Sequence, residues 1–67
     1  MTNSELLEQT IKEKGIKKSY ICKELDISFK TLRYKILGIT EFKGSEIQKL
    51  SLILDLSTKD REHIFFA

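Results

Sequence analysis

The placement of glycine and the lack of proline constrain this chain more than any other feature. Glycine occurs only at Gly15, Gly38 and Gly44, and proline does not occur at all. The glycines divide the chain into pieces of helix length. Only residues 39–42 look extended, and no second segment alternates between apolar and polar residues as a paired strand would. The sequence therefore predicts short helices and no sheet.

Five helices are predicted from capping residues and from apolar residues at helical spacing. Ser4 is a candidate N-cap and Gly15 a candidate C-cap for the first helix. Asp26, which tolerates the left-handed conformation, is expected to end the second helix. Ser28 and Gly38 are expected to begin and end the third. The predicted helices cover residues 5–14, 18–25, 29–37 and 45–54, and a short fifth helix follows Ser57.

A chain of 67 residues has room for one hydrophobic core, since chains below roughly 70–80 residues gain only a few kcal/mol from their cores. Residues 1–67 are therefore predicted to form a single domain. The lone Cys22 has no partner for an internal disulfide, which is typical of proteins in the reducing cytosol. The sequence contains no apolar run long enough for a membrane span and no signal peptide. We expect a cytoplasmic protein.

The charge is distributed unevenly along the chain. The total is only +2, but residues 11–37 carry eight Lys or Arg against three acidic residues, a net +5. The segments before and after are mildly acidic. A basic middle of this kind is typical of a surface that binds a polyanion such as nucleic acid, but a Lys-rich helix face exposed to solvent gives the same count.

The most informative segment is residues 17–38, KKSYICKELDISFKTLRYKILG, in which two short helices follow each other through a tight turn. Helices that cross at about 90–120° need a small side chain at the crossing, here Cys22, and a residue that accepts positive φ at the turn, here Asp26. The segment resembles the phage-repressor and Cro-type (XRE-like) helix-turn-helix family, and the resemblance extends over residues 5–65. The family usually has Ala and Gly at these two positions. The apolar anchors that carry the resemblance are Ile21, Leu25, Ile27 and Leu32.

The resemblance implies a compact all-α, five-helix fold in which the third helix enters the DNA major groove. Lys30 and Arg33 would then donate to guanine O6 and N7, and Phe29 could contact a thymine methyl group. Tyr34 could contact a phosphate or a base. The expected base-reading residues are Ser28, Phe29, Lys30, Arg33 and Tyr34.

The starts of the second and fourth helices are the expected phosphate contacts. Lys17 and Lys18 precede or open one helix, and Lys43 and Gly44 precede the other. Backbone N–H groups and the helix dipole favour an anion at such a position. The alternative for Lys17 and Lys18 is simple solvation of a loop.

The function implied by the resemblance is sequence-specific regulation of transcription by occupancy of an operator. Family members place two recognition helices one DNA turn apart, so we expect a homodimer on a palindromic site. Leu52 and Phe66 are apolar residues that the core pattern does not require, and they are the candidate dimer contacts. The alternative is a small phage-type helix-turn-helix protein that binds a repressor or a host protein instead of DNA.

The sequence gives no support for catalysis, a metal or a cofactor. His63 has no second His and no neighbouring Cys, and Cys22 is expected to pack in the core. The carboxylates are scattered over helical surfaces rather than paired, and no Gly-rich phosphate loop occurs. We therefore expect a protein that is not an enzyme.

Overall fold

The computed structural model describes all 67 residues as five α-helices without a strand. The predicted all-helical, five-helix class is confirmed. No helix is both long enough and apolar enough to cross a membrane. The helices are α1 (Ser4–Lys14), α2 (Lys18–Leu25), α3 (Phe29–Ile36), α4 (Gly44–Ile53) and α5 (Thr58–Phe65).

One core joins all five helices. The α2 helix packs against α3 and α4, and α1 packs against α3 and α5. Phe42, from the loop between α3 and α4, meets Phe65 edge to face with ring centroids 5.5 Å apart. The remaining buried apolar residues are Leu7, Ile11, Ile21, Cys22, Leu25, Leu32, Ile36, Leu50, Leu54 and Ile64. The short helices are therefore held by tertiary packing, as helices of this length require.

Four of the five helices end in the same backbone motif. A left-handed residue follows α1, α2, α3 and α4, and the next amide reaches back to a carbonyl five residues earlier, as in a Schellman cap. After α2, for example, Asp26 has φ 55° and the Ile27 N–H donates to the Cys22 carbonyl at 3.0 Å. The left-handed residues are Gly15, Asp26, Gly38 and Asp55. The predicted left-handed conformation of Asp26 is confirmed.

The helix starts differ from the prediction at α1. Asn3, not Ser4, is the N-cap, and its side chain accepts the Leu6 N–H at 3.1 Å. The Ser4 hydroxyl instead donates to the carbonyl of Ile36 at the end of α3. Ser4 therefore ties two helices together, a long-range role that local capping preference does not predict.

Three other boundaries move by one residue. The α3 helix ends at Ile36, and Leu37 is its C-cap rather than its last residue. The α4 helix begins at Gly44, with Lys43 as N-cap, and ends at Ile53, because Leu54 is the C-cap. The predicted range of α2 and the predicted N-cap Ser28 agree with the structure.

Candidate functional site

The α3 helix begins at a firmly capped end. The Ser28 side chain accepts the Thr31 N–H at 3.1 Å, and its hydroxyl donates to the Thr31 Oγ1 at 3.0 Å. The three residues between α2 and α3 are thus a left-handed residue, the half-buried Ile27 and this cap. Of the expected base-reading residues, Ser28 already uses its hydroxyl to start the helix.

The outer surface of α3 has two edges of different chemistry. Phe29, Arg33 and Leu37 are spaced four residues apart and follow one edge, where all three line the same groove. Lys30 and Tyr34 follow the other edge, where the Lys30 Nζ lies 5.8 Å from the centre of the Tyr34 ring, and Lys30 also lines the groove. Phe29 and Leu37 are 59% and 50% exposed. Apolar and cationic groups therefore alternate on a helix that contains no acidic residue.

The groove beside α3 has a volume of about 430 Å³. Leu32 and Ile36 form part of its wall, and Lys18 and Glu8 lie across from the α3 edge. Lys18 and Glu8 form an exposed ion pair with an N–O distance of 2.9 Å. The fold thus brings one expected phosphate contact, Lys18, into the same groove as three expected base-reading residues, Phe29, Lys30 and Arg33.

The other expected phosphate contacts lie elsewhere. Lys17 is the N-cap of α2 and is exposed, without a side-chain capping bond. Lys43 and Gly44 open α4, and Lys43 lines a separate hollow with Lys49. The Lys43 N–H donates to the Glu46 Oε1 at 2.8 Å, so one amide of this helix start already has an anionic acceptor.

The sequence interpretation missed a buried ion pair behind α3. The Lys35 Nζ lies 2.7 Å from the Glu46 Oε1 and also donates to the Glu41 carbonyl at 3.3 Å. Both side chains are about nine-tenths buried, with 9% and 11% exposed. The Lys35 charge is part of the basic middle of the chain in the sequence count, but inside the fold it is paired with the Glu46 carboxylate. Lys35 lies three residues after Leu32, on the buried side of α3, and that spacing is the signal that could have revealed it.

The pair sets the ionisation of Glu46. Burial raises the pKa of the Glu46 carboxyl, but hydrogen bonds from Lys35 and from the Lys43 N–H, together with both lysine charges, outweigh burial. The net result is a pKa below its ordinary value. Glu46 therefore stays ionised, and its contacts with Lys35 and the Lys43 N–H, together with the bond from Lys35 to the Glu41 carbonyl, link α3, the loop after it and the start of α4.

The two candidate dimer contacts are exposed but are not neighbours. Leu52 is 76% exposed and lines a hollow with Thr58 and Arg61 at the start of α5. Phe66 is 63% exposed and follows the end of α5. The eight residues of α5 span about 12 Å at 1.5 Å per residue. One compact partner surface would have to extend along α5 to cover both.

Cys22 is a buried free thiol at the packed side of α2, and His63 is exposed. No group of three His, Cys, Asp or Glu residues is arranged to hold a metal ion. No protein-family model, curated protein or solved structure matches the chain.

Proposed function

We propose that this protein is a sequence-specific DNA-binding regulator of transcription, similar to a phage Cro protein or the DNA-binding part of a phage repressor. The main observation behind the proposal is the position of α3 after a tight turn and the side chains that it exposes. The α3 segment is a short helix with exposed Lys30, Arg33 and Tyr34 on its outer surface, and it follows α2 through a three-residue turn. A helix presented in this way fits the major groove, while the preceding helix crosses the backbone.

Three further features support the proposal. Cys22 is buried in α2, and a compact side chain of this kind suits the crossing of two helices. Arg33 has no ion-pair partner in the protein, so its guanidinium is free to donate to a guanine. Lys18 lies beside the same groove, where it can bind a phosphate after release from Glu8, and exposed ion pairs contribute only roughly 0.2–1 kcal/mol.

Regulation in this proposal works by occupancy of an operator in the cytoplasm of a bacterial or phage-infected cell. A homodimer would place two α3 helices about 34 Å apart on a palindromic site. Phe66 is the first candidate for the contact between the two copies. Phe66→Asp is expected to keep the helical circular dichroism spectrum but to abolish cooperative filling of two half-sites. Wild-type occupancy by this variant would remove Phe66 from the interface.

The experiment that tests DNA binding is selection from a random duplex library, followed by binding to the enriched duplex and to a scrambled duplex at two salt concentrations. The proposal predicts an enriched consensus and a preference for it that survives moderate salt, because phosphate contacts weaken with salt on both duplexes alike. No enrichment, or binding that ignores sequence, would contradict it.

A second candidate function is binding to a protein, such as a repressor or a host factor. The observation that favours it is the apolar surface at the far end of α3, where Leu37 and Ile39 are 50% and 64% exposed. If the N-terminal part of α3 contacts DNA bases, Leu37 and Ile39 have no role in that contact and are left for another partner. Under this alternative, Leu37→Asp and Ile39→Asp would abolish partner capture, and the random-duplex selection would yield no consensus.

A further inference from the structure

The edge of α3 that lines the groove carries two side chains of different chemistry, one aromatic and one cationic, that can contact DNA bases. Phe29 is the first residue of the helix and is 59% exposed. Arg33 follows four residues later on the same edge and is exposed. In the major groove only thymine presents an apolar group, its C5 methyl, and guanine presents the two acceptors that match a guanidinium fork.

The spacing of these two side chains limits the spacing of the bases. Four residues of α-helix advance about 6 Å along the axis. Base pairs are stacked at about 3.4 Å. Two side chains on one edge of the helix therefore reach base pairs that are one or two steps apart. Lys30 also lines the groove, but its Nζ lies 5.8 Å from the centre of the Tyr34 ring rather than between Phe29 and Arg33 in the i, i+4 row.

We infer that the DNA half-site of this protein contains a thymine and a guanine one or two base pairs apart, with Phe29 contacting the thymine methyl and Arg33 contacting the guanine. The inference rests on the proposed function and adds the class of sequence that the site selects. Phe29 then acts as a specificity residue that favours thymine over cytosine, since cytosine lacks the methyl group.

The other exposed apolar residue of this edge provides a matched control. Leu37 also lines the groove and is 50% exposed, but it lies two helical turns beyond Phe29, at the C-cap. Since helix-turn-helix proteins read bases with the start of the recognition helix, Leu37→Ala is expected to leave base preference unchanged. Phe29→Ala should fold, because most of the ring is already exposed.

The test removes single groups from the DNA and from the protein together. The full chain is used with the duplex enriched in the random selection, and each thymine is replaced in turn by deoxyuridine, which lacks only the methyl. One replacement is expected to weaken wild-type binding about fourfold, the effect of one buried CH₂-sized group. The same replacement should have no effect on Phe29→Ala and its full effect on Leu37→Ala.

The second arm replaces each guanine by 7-deazaguanine, which lacks the N7 acceptor. One guanine within two steps of the sensitive thymine should weaken wild-type binding at least about fivefold, and this effect should disappear in Arg33→Ala. An enriched duplex with no sensitive thymine, or with equal deoxyuridine effects in wild type and Phe29→Ala, would overturn the inference while leaving DNA binding intact. If no duplex is enriched, the proposed function itself fails.

Discussion

The turns that follow α2 and α3 have the same backbone motif, but the isoleucine after the left-handed residue packs against the core in the first turn and is exposed in the second. Asp26 and Gly38 are both left-handed, and an isoleucine follows each of them. After α2, Ile27 packs against the core and the next residue, Ser28, is already the N-cap of α3. After α3, Ile39 is 64% exposed and the chain runs on to Lys43 before the next helix. The cap fixes the local path of the chain, and the packing beyond it decides whether the apolar residue is buried.

The two turns are also held by different forces. The first turn uses neighbouring residues: the left-handed cap, the half-buried isoleucine and the N-cap Ser28. The second depends on a buried ion pair between residues eleven positions apart, with Lys35 also bonded to the Glu41 carbonyl within the loop. Local chemistry is therefore sufficient in one turn, and long-range electrostatics are needed in the other.

The largest effect is expected from breaking that ion pair. Lys35→Met leaves the Glu46 carboxylate buried without its cation, and we expect a loss of about 3–5 kcal/mol in the free energy of unfolding. Urea titration followed by circular dichroism measures the loss. The exposed Lys30→Met on the same helix is the control, with a loss of no more than about 1 kcal/mol. The double variant Lys35→Met/Glu46→Leu should recover much of the stability, and a single variant as stable as wild type would contradict the role of the pair.

The same pair predicts a dependence on pH. The folded-state pKa of Glu46 is lowered, so its contribution to stability is present above the unfolded-state pKa and is lost as the pH falls through the folded-state value. Acidification should therefore reduce the urea midpoint of wild type more steeply than that of Glu46→Gln. Glu62→Gln, on the exposed side of α5, should keep the steep wild-type curve. Parallel curves for wild type and Glu46→Gln would exclude Glu46 as the titrating group.

A smaller effect sharpens the comparison between the two isoleucines. Ile27→Ser removes a half-buried side chain from the core edge and is expected to cost about 1–2 kcal/mol. Ile39→Ser at the equivalent position after α3 should change stability by less than about 0.5 kcal/mol. Thermal unfolding of the two variants side by side measures the difference. Equal losses would mean that Ile39 is as important to the folded chain as Ile27.

The same contrast explains what sequence reasoning could and could not predict. The range of α2, the N-cap Ser28 and the left-handed Asp26 follow from residues within a few positions of each other, and the structure confirms them. The bond from Ser4 to the Ile36 carbonyl depends on how distant segments meet. No local pattern contains that information. The burial of Lys35 could have been inferred from its spacing of three residues from Leu32, but its partner Glu46, eleven residues away, could not.

The expected site also has one part that local sequence predicts and another part that depends on long-range packing. Phe29, Lys30, Arg33 and Tyr34 share one short helix, and helical spacing alone places them on its outer surface. Lys18 lies in the groove beside α3, and Lys43 lies outside that groove. These positions depend on how α1, α2 and α4 pack, so the sequence alone could not predict them. Contact between the α3 residues and DNA bases stays a prediction.

The most direct test of DNA recognition by α3 compares wild type with Arg33→Ala on two duplexes, the one enriched by selection and a scrambled one. Arg33 is exposed and has no ion-pair partner, so its loss should leave the fold intact. We predict that Arg33→Ala weakens binding to the enriched duplex by about 1–3 kcal/mol and reduces binding to the scrambled duplex far less. Lys59→Ala on α5 should change neither affinity. An equal loss on both duplexes would contradict base readout by α3.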